Sequence, residues 1–260
     1  MKQCDGIQYL IRKYFYTVII ISCVAIVSCR NKSTPSAEIV PASTVTWTNT
    51  NGELFALYTP AAPEGASVPV VMYLHGYTED PINNPPWFIN SLNAIEPCAV
   101  FLPYRSSSEG ASAWGGTYDV GLRQSMIDTL AEFDALIQTH NLNSCRQYIC
   151  GDSMGGEGVL KLLVEYPNRF AGAVSVAGYT VTAGADAMAI EMAKTPLWLI
   201  WGAADTDLNV QDLNIYNLIV ASGGTHVKMT EYPGLGHVES IYAAQSEPGL
   251  CAWLLAQRLP

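Results

Sequence analysis

The chain has 260 residues, of which 49% are hydrophobic and 14% are charged, and its formal net charge is −10. This length and composition suit a globular domain with a buried core and exclude an intrinsically disordered chain. No run of basic residues occurs, which argues against nucleic acid as a partner, because a phosphate backbone is bound by clustered Lys and Arg side chains.

Residues 1–28 predict a lipoprotein signal peptide. Three basic residues precede the apolar run "YFYTVIIISCVAIVSC", and polar "RNKSTPS" follows it. The order is typical of a secretory signal, and "IVSC" resembles the bacterial lipoprotein box, whose cysteine becomes the lipidated first residue. Cys29 is the preferred site because the apolar run continues past Cys23, which also fits. We expect a lipid anchor in the bacterial cell envelope, periplasmic or surface-exposed; a plain signal peptide or an anchor helix is the alternative.

Residues 29–44 are rich in Ser, Thr, Pro and Ala and predict a flexible tether. Residues 45–260 are then the single folded domain. It contains four cysteines, Cys98, Cys145, Cys150 and Cys251. An even number of cysteines in an oxidising compartment makes disulfides possible, whereas buried free thiols are the alternative, above all for Cys150 inside an apolar strand. Their spacings match no zinc site.

The predicted elements follow one another as an α/β chain. A hairpin is expected around Asn51-Gly52. Strands are expected in "VPVVMYLHG", "CAVFLPYR", "RQYICG", "FAGAVSVAG", "TPLWLIWG" and "THVKMTEYPG", and helices over 119–139, 154–166, 208–221 and 239–257. The alternation predicts a mostly parallel sheet with an N-terminal antiparallel hairpin and helices on both faces. Residues 179–195 leave room for one small helix and for no large cap domain.

The stretch "YICGDSMGGEG" carries the strongest chemical motif. Ser153 lies between Gly151 and Gly155, after a predicted strand and before a predicted helix. Gly-x-Ser-x-Gly alone is weak, but a sharp strand–turn–helix junction exposes the serine hydroxyl at the sheet edge, next to a helix N-terminus that favours negative charge. The motif therefore predicts a nucleophile rather than an ordinary glycine-rich turn.

A serine hydroxyl needs a base, and we assign that role to His237 in "YPGLGHVES", a loop between the last strand and the last helix. His140 and His226 are expected to be surface or structural residues. The acid that orients the base is expected in "WGAADTDLNV", where Asp205 is favoured over Asp207 by its position after the strand. The carboxylate without this role would serve a helix N-terminus. Serine, acid and base would then occur in the order seen in α/β-hydrolases.

Two backbone donors are expected to bind the oxyanion. One is the N–H of Met154, next to the nucleophile, and the other is the N–H of Tyr77 in the loop after "VVMYLHG". His75 at the strand end suits a structural hydrogen bond rather than catalysis. The loop after "FLPYR" should overhang the site, so Trp114 and also Tyr179 are candidates for stacking on substrate; the alternative for Trp114 is that it packs this loop down.

From about residue 66 to 257 the chain resembles the α/β-hydrolases of the esterase and polyhydroxybutyrate-depolymerase-like group, which includes feruloyl esterases and predicted peptidases. The resemblance rests on "VMYLHGY", "YICGDSMGGEG", "EYPNRFAGAVSVAG", "WLIWGAADTDLNV" and "EYPGLGHVES". The pair "GYT" and "SMGG" is similar to bacterial polyester hydrolases, which implies that the tyrosine ring lines the acyl site. Many members carry a second glycine soon after "HG", where this chain has "HGYTED".

These observations predict a secreted, lipid-anchored serine carboxylic-ester hydrolase that forms an acyl-enzyme. The resemblance implies feruloyl, acyl-polysaccharide or polyester substrates and no metal or organic cofactor. A serine peptidase and an acyltransferase remain alternatives on the same scaffold. A catalytically silent surface binding module is the alternative from another class, although a silent relative should have lost one of the three residues.

Overall fold

The computed structural model describes residues 38–86, 88–106, 114–115, 121–178, 184–206 and 209–260, with the side chains of 209–211 excepted. All of them belong to one compact unit, Ala37–Pro260. The predicted signal peptide, Cys29 and Tyr179 lie outside the described residues.

The core of the unit is an eight-stranded sheet of order β10-β9-β8-β7-β5-β6-β3-β2. The six strands from β10 to β6 are parallel, and β3 and β2 complete one edge as an antiparallel hairpin. The short strands β1 and β4 pair with each other. The strands are β1 (Ile39–Val40), β2 (Ser43–Thr48), β3 (Leu54–Thr59), β4 (Ala62–Pro63), β5 (Val68–Leu74), β6 (Ala99–Pro103), β7 (Leu142–Asp152), β8 (Gly172–Val176), β9 (Leu197–Gly202) and β10 (Val227–Tyr232).

Helices cover both faces of the sheet, as the alternating pattern predicts. Every residue of β8 and β9 is buried, because a parallel strand packed on two sides is apolar along its whole length. One apolar cluster holds side chains of α2 to α5 and the other holds side chains of α1, α6 and α7. The helices are α1 (Phe88–Asn93), α2 (Gln124–Thr139), α3 (Met154–Glu165), α4 (Ala185–Met192), α5 (Asn209–Ala221), α6 (His237–Ala244) and α7 (Leu250–Ala256).

Three features of the fold refine the prediction. The expected helix 239–257 is two helices, because the chain turns at Pro248 and Gly249, and Gly249 has a φ of 76°. The expected tether 29–44 overlaps β1 and the start of β2, so ordered structure begins earlier than composition suggested. The small helix expected within 179–195 is α4, and it buries three residues in the main core rather than forming a lid. No helix in the described ranges is both long and apolar enough to cross a membrane.

All four cysteines of the domain are free thiols, so the disulfides considered from the sequence are not formed. Cys98, Cys150 and Cys251 are buried in the same apolar cluster, and Cys145 is exposed. Burial raises the pKa of the Cys251 thiol to about 11 and raises the pKa of Cys150 well above its ordinary value. The three buried thiols therefore behave as small apolar core residues.

The strand order places a crevice between β5 and β7. From β5 the chain moves to β6 on one side, and it then crosses to β7 on the other side of β5. The loops that leave the carboxyl ends of β5 and β7 consequently diverge, which is where open α/β sheets bind their ligands. The next residue after β7 is Ser153, and the loop after β5 contains Tyr77.

Candidate active site

The turn between β7 and α3 holds Ser153 in a strained backbone conformation. Its φ is 51° and its ψ is −119°, a region that residues other than glycine rarely adopt. Such a conformation costs on the order of 1–3 kcal/mol and persists where surrounding contacts impose it. Here the Ser153 N–H donates to the carbonyl of Val176 at 2.8 Å, which ties the turn to the end of β8.

The two glycines that flank Ser153 are required by close packing. A Cβ on Gly155 would lie 1.8 Å from the carbonyl oxygen of Leu74, and a Cβ on Gly151 would lie 2.5 Å from the carbonyl carbon of Gly155. Neither backbone can retreat, because one belongs to a central strand and the other to the first turn of a buried helix. The glycines thus let the turn press against the end of β5.

The structure brings together Ser153, His237 and Asp205, as the sequence predicts. His237 is the first residue of α6; its Nε2 lies 2.8 Å from Ser153 Oγ and its Nδ1 lies 2.7 Å from Asp205 Oδ2. In this arrangement the serine hydroxyl donates to Nε2, and Nδ1–H donates to a carboxylate that is 6% exposed. The alternative acid Asp207 lies outside the described residues, and His226 is exposed on the surface.

Backbone contacts hold Asp205 and His237 on adjoining turns. A Cβ on Gly202, the last residue of β9, would lie 2.2 Å from the carbonyl oxygen of Leu235 in the loop before α6. Ala204 N–H donates to the same carbonyl at 2.9 Å, and Asp205 N–H donates to the Gly202 carbonyl at 3.1 Å. The loop that carries His237 is therefore packed directly on the turn that carries Asp205.

His75 has the structural role that its strand-end position predicts. It is fully buried; its Nδ1–H donates to the Gly76 carbonyl at 2.6 Å, and its Nε2 accepts the Arg105 N–H at 2.8 Å. Because Nε2 must keep its lone pair to accept, the imidazole is neutral, and burial lowers its pKa. His75 thus links the loops that follow β5 and β6.

The expectation that Trp114 stacks on substrate is wrong. Its side chain is 0% exposed, its Nε1–H donates to the His75 carbonyl at 2.9 Å, and the Arg105 guanidinium lies 5.3 Å from its ring centre. A Cβ on Gly158 of α3 would also lie 2.7 Å from the Trp114 Cβ. The indole is a core residue beneath the site, which is the packing alternative.

The proposed oxyanion donors both lack an acceptor within the described part of the chain. No hydrogen bond from the Tyr77 N–H or the Met154 N–H is found there. Met154 opens α3, where the first N–H groups have no intrahelical partner. The turn of Tyr77 lies beside the nucleophile, since a Cβ on Gly155 would come within 2.9 Å of the His75 carbonyl oxygen.

Sequence analysis missed two buried carboxyl groups near the site. Asp152, next to Ser153, is 4% exposed, and Asp212 in α5 is 2% exposed. Burial raises the pKa of both, and the charges of Glu79 and Asp205, respectively, add to the effect. An acidic residue at the end of an apolar strand was the available signal for Asp152. Within the described residues, no cluster of three or more His, Cys, Asp or Glu side chains is suited to hold a metal ion.

Residues 51–232 match a family model, Esterase, whose description is "Putative esterase". Comparison with curated proteins gives no match.

Among solved structures, the fold is similar to that of a thermostable esterase, with a TM-score of 0.68 and 20% identity, over 84% of this chain and 63% of that one. It is similar to an S-formylglutathione hydrolase from Staphylococcus aureus (TM-score 0.63, 18% identity, 85% of this chain and 98% of that one). It is also similar to a ferulic acid esterase (TM-score 0.66, 13% identity, 82% and 98%). The shared architecture is the α/β-hydrolase fold.

His75→Leu is expected to lower the free energy of unfolding by about 1–3 kcal/mol at pH 8, because the buried Arg105 N–H loses its acceptor. The lowered pKa of His75 also fixes the direction of the pH dependence of stability. The stability that neutral His75 contributes is present above its unfolded pKa and is lost as the pH falls through its folded pKa. Thermal unfolding against pH should therefore show an acid loss that is smaller in His75→Leu and unchanged in the exposed control His226→Gln. An unaltered acid slope in His75→Leu would contradict this role.

Asp212→Asn is expected to stabilise the protein at pH 7 by more than about 1 kcal/mol. In the described residues neither carboxyl oxygen of Asp212 has a hydrogen-bond partner, and its raised pKa means that the unfolded chain ionises more readily than the folded one. The free energy of unfolding therefore falls as the pH rises above the pKa that Asp212 has in the unfolded chain. Chemical unfolding at pH 4 and pH 7 measures this, and a variant less stable than wild type at pH 7 would show that Asp212 is a paired carboxylate.

Proposed function

Because this chain belongs to the esterase family, whose model matches residues 51–232, we propose that it is a serine carboxylic-ester hydrolase with Ser153 as nucleophile. The observation that carries the proposal is the continuous chain of hydrogen bonds from Ser153 Oγ through His237 to Asp205, with distances of 2.8 and 2.7 Å. A core serine would need neither a strained turn nor a buried carboxylate behind its histidine partner.

In the acylation half, His237 Nε2 takes the proton of Ser153 as Oγ attacks the ester carbonyl. Asp205 accepts Nδ1–H, which fixes the tautomer and stabilises the imidazolium that forms. The carbonyl oxygen becomes an oxyanion and is bound by the backbone N–H groups of Tyr77 and Met154. When the tetrahedral intermediate collapses, the imidazolium returns its proton to the alcohol, which leaves, and an acyl-serine remains.

Deacylation repeats these steps with water as the nucleophile. His237 removes a proton from water, which adds to the acyl carbonyl, and the oxyanion occupies the same two donors. The collapse of the second intermediate protonates Ser153 Oγ and releases the carboxylic acid. Every proton transfer passes through Nε2, so the 33% exposure of the His237 side chain fits the need to admit both ester and water.

As substrates we propose extended or bulky esters of the feruloyl, acyl-polysaccharide or polyester type. The fold similarity to a ferulic acid esterase over 82% of this chain supports this class. The side chain of Tyr77 is 41% exposed on the loop after β5 and provides an aromatic surface at the mouth of the crevice. The segment between β8 and β9 supplies α4 to the core, which is consistent with a site open to polymers.

We also propose that the enzyme is exported and anchored by lipid at Cys29. The basic start, the apolar run and the "IVSC" sequence support this proposal.

Ser153→Ala is expected to lower kcat by at least about 10⁴-fold on p-nitrophenyl esters and methyl ferulate, because the hydroxyl that attacks the ester is removed. Asp205→Asn should lower kcat by about 10³–10⁴-fold through the wrong imidazole tautomer. The matched control is His226→Gln, which should hydrolyse the same esters at wild-type rates. A p-nitroanilide series in the same assay separates ester from amide cleavage. Wild-type protein that neither turns over these esters nor is labelled by a fluorophosphonate would refute the proposal and favour a silent binding module.

Cys29→Ala is expected to abolish incorporation of an alkyne-labelled fatty acid when the full chain is expressed in a bacterial host. The protein should then move from the membrane fraction to the soluble fraction. Cys23→Ala is the matched control and should be labelled like wild type. Labelling that is lost in Cys23→Ala and retained in Cys29→Ala would move the anchor to the earlier cysteine.

A further inference from the structure

A hydrogen-bonded acidic cluster lies directly behind the nucleophile and has no part in the chemistry above. It consists of Tyr73 in β5, Glu79 in the loop after β5 and Asp152 at the end of β7. The Tyr73 hydroxyl lies 3.0 Å from Glu79 Oε2 and is also hydrogen-bonded to Asp152 Oδ1. Asp152 is buried, whereas Glu79 reaches solvent.

The two contacts of the Tyr73 hydroxyl require a second proton. Three oxygens form two hydrogen bonds, and a phenol supplies one hydrogen, while an ionised carboxylate supplies none. The other hydrogen must therefore belong to a carboxyl group. We assign it to Asp152, because Asp152 is 4% exposed and borders a cavity that the apolar Val174 and Leu254 also line, whereas Glu79 is exposed to solvent. The Asp152 carboxylic acid then donates to the Tyr73 hydroxyl, and the Tyr73 hydroxyl donates to the Glu79 carboxylate.

The environment of the cluster is consistent with one shared proton. Burial, followed by the charge of Glu79, raises the pKa of Asp152, and burial also raises the pKa of Tyr73. The other titratable groups near the cluster are His75 and Asp80 on its own loop, Cys150 in β7 and Cys251 in α7. In the part of the chain that the structure describes, no Lys or Arg forms an ion pair with Asp152 or Glu79.

The ionised end of the cluster holds the turn that contains the Tyr77 N–H. Glu79 Oε2 accepts the Gly76 N–H at 3.1 Å, and the Glu79 N–H donates to the Gly76 carbonyl at 3.2 Å. A Cβ on Gly76 would lie 2.9 Å from Asp152 Oδ2 and 3.3 Å from Glu79 Cδ, so both carboxyl groups pack against the Cα of Gly76. Both polar backbone groups of Gly76 are thus fixed, and the Tyr77 N–H is left free to point at a ligand.

We propose that Glu79 and Asp152, joined through Tyr73 and one shared proton, are positioning residues that hold the Tyr77 N–H in register with the Ser153 turn. Asp152 adjoins the nucleophile in sequence, and Glu79 fixes the facing turn, so the cluster connects the two sides of the proposed oxyanion hole. This inference rests on the proposed function. It also explains why "HGYTED" can lack a second glycine, since a carboxylate fixes the turn instead.

The test is the pH dependence of kcat and KM on a p-nitrophenyl ester, in the full-length protein. Glu79→Ala should lower kcat about 10–100-fold with KM nearly unchanged, because misplacing an oxyanion donor affects the transition state. Glu79→Gln keeps an acceptor for the Gly76 N–H and should recover most of the lost rate. Asp152→Asn imitates the protonated acid, so its kcat at pH 7 should stay within about threefold of wild type. In wild type we expect kcat to fall at alkaline pH, where Asp152 loses the shared proton, and this fall should disappear in Asp152→Asn. Asp80→Asn, the neighbouring carboxylate, is the control and should match wild type.

Two results would overturn the inference. These are a wild-type kcat in Glu79→Ala and a fall of kcat at alkaline pH that persists in Asp152→Asn.

Infrared spectra at neutral pH give a readout besides activity: a protonated-carboxyl C=O band should be lost in Asp152→Asn, and an unchanged band would place the proton elsewhere. If wild-type protein neither hydrolyses esters nor is labelled by a fluorophosphonate, the proposed function fails. If wild type is active and Glu79→Ala equals it in kcat, only the positioning role fails.

Discussion

The contact between the start of α3 and the end of β5 is the constraint on which the site depends. With 1.8 Å between a Cβ at Gly155 and the Leu74 carbonyl oxygen, only glycine lets the helix begin there. This contact brings the turn of Ser153 beside the loop of Tyr77, at the point where the strand order diverges. Strain at Ser153 follows from the same geometry, because the chain must reverse from strand to helix within one residue.

A second close contact fixes the relative position of the segments that carry His237 and Asp205. Gly202 packs on the Leu235 carbonyl, so the turn after β9 and the loop before α6 lie directly against each other. The hydrogen bond between His237 and Asp205 then joins side chains whose backbones are already in register. Both halves of the site are therefore held by backbone packing, and the side chains add chemistry to a preformed arrangement.

Several carboxyl groups lie near this arrangement, and they differ in the partners that each one has. Asp205 has a histidine partner, whereas Asp212 is buried without one in the described residues. Asp152 shares hydrogen bonds with a phenol that also contacts Glu79. In a protein with a net charge of −10, burial raises the pKa of both Asp152 and Asp212, which favours the neutral form of each.

The sequence by itself determined most of the elements and the candidate catalytic residues of this protein. Uninterrupted apolar runs predict buried parallel strands, and the glycine, serine and histidine motifs follow strand ends, so their meeting at one sheet edge follows from chain order. Only the tertiary structure decided which side chains are covered and which oxygens have partners. Trp114 is buried, the cysteines are free, the last helix is broken, and Tyr73 joins Glu79 to Asp152. These outcomes depend on contacts between distant segments, and local periodicity carries no information about the neighbours that a folded chain supplies.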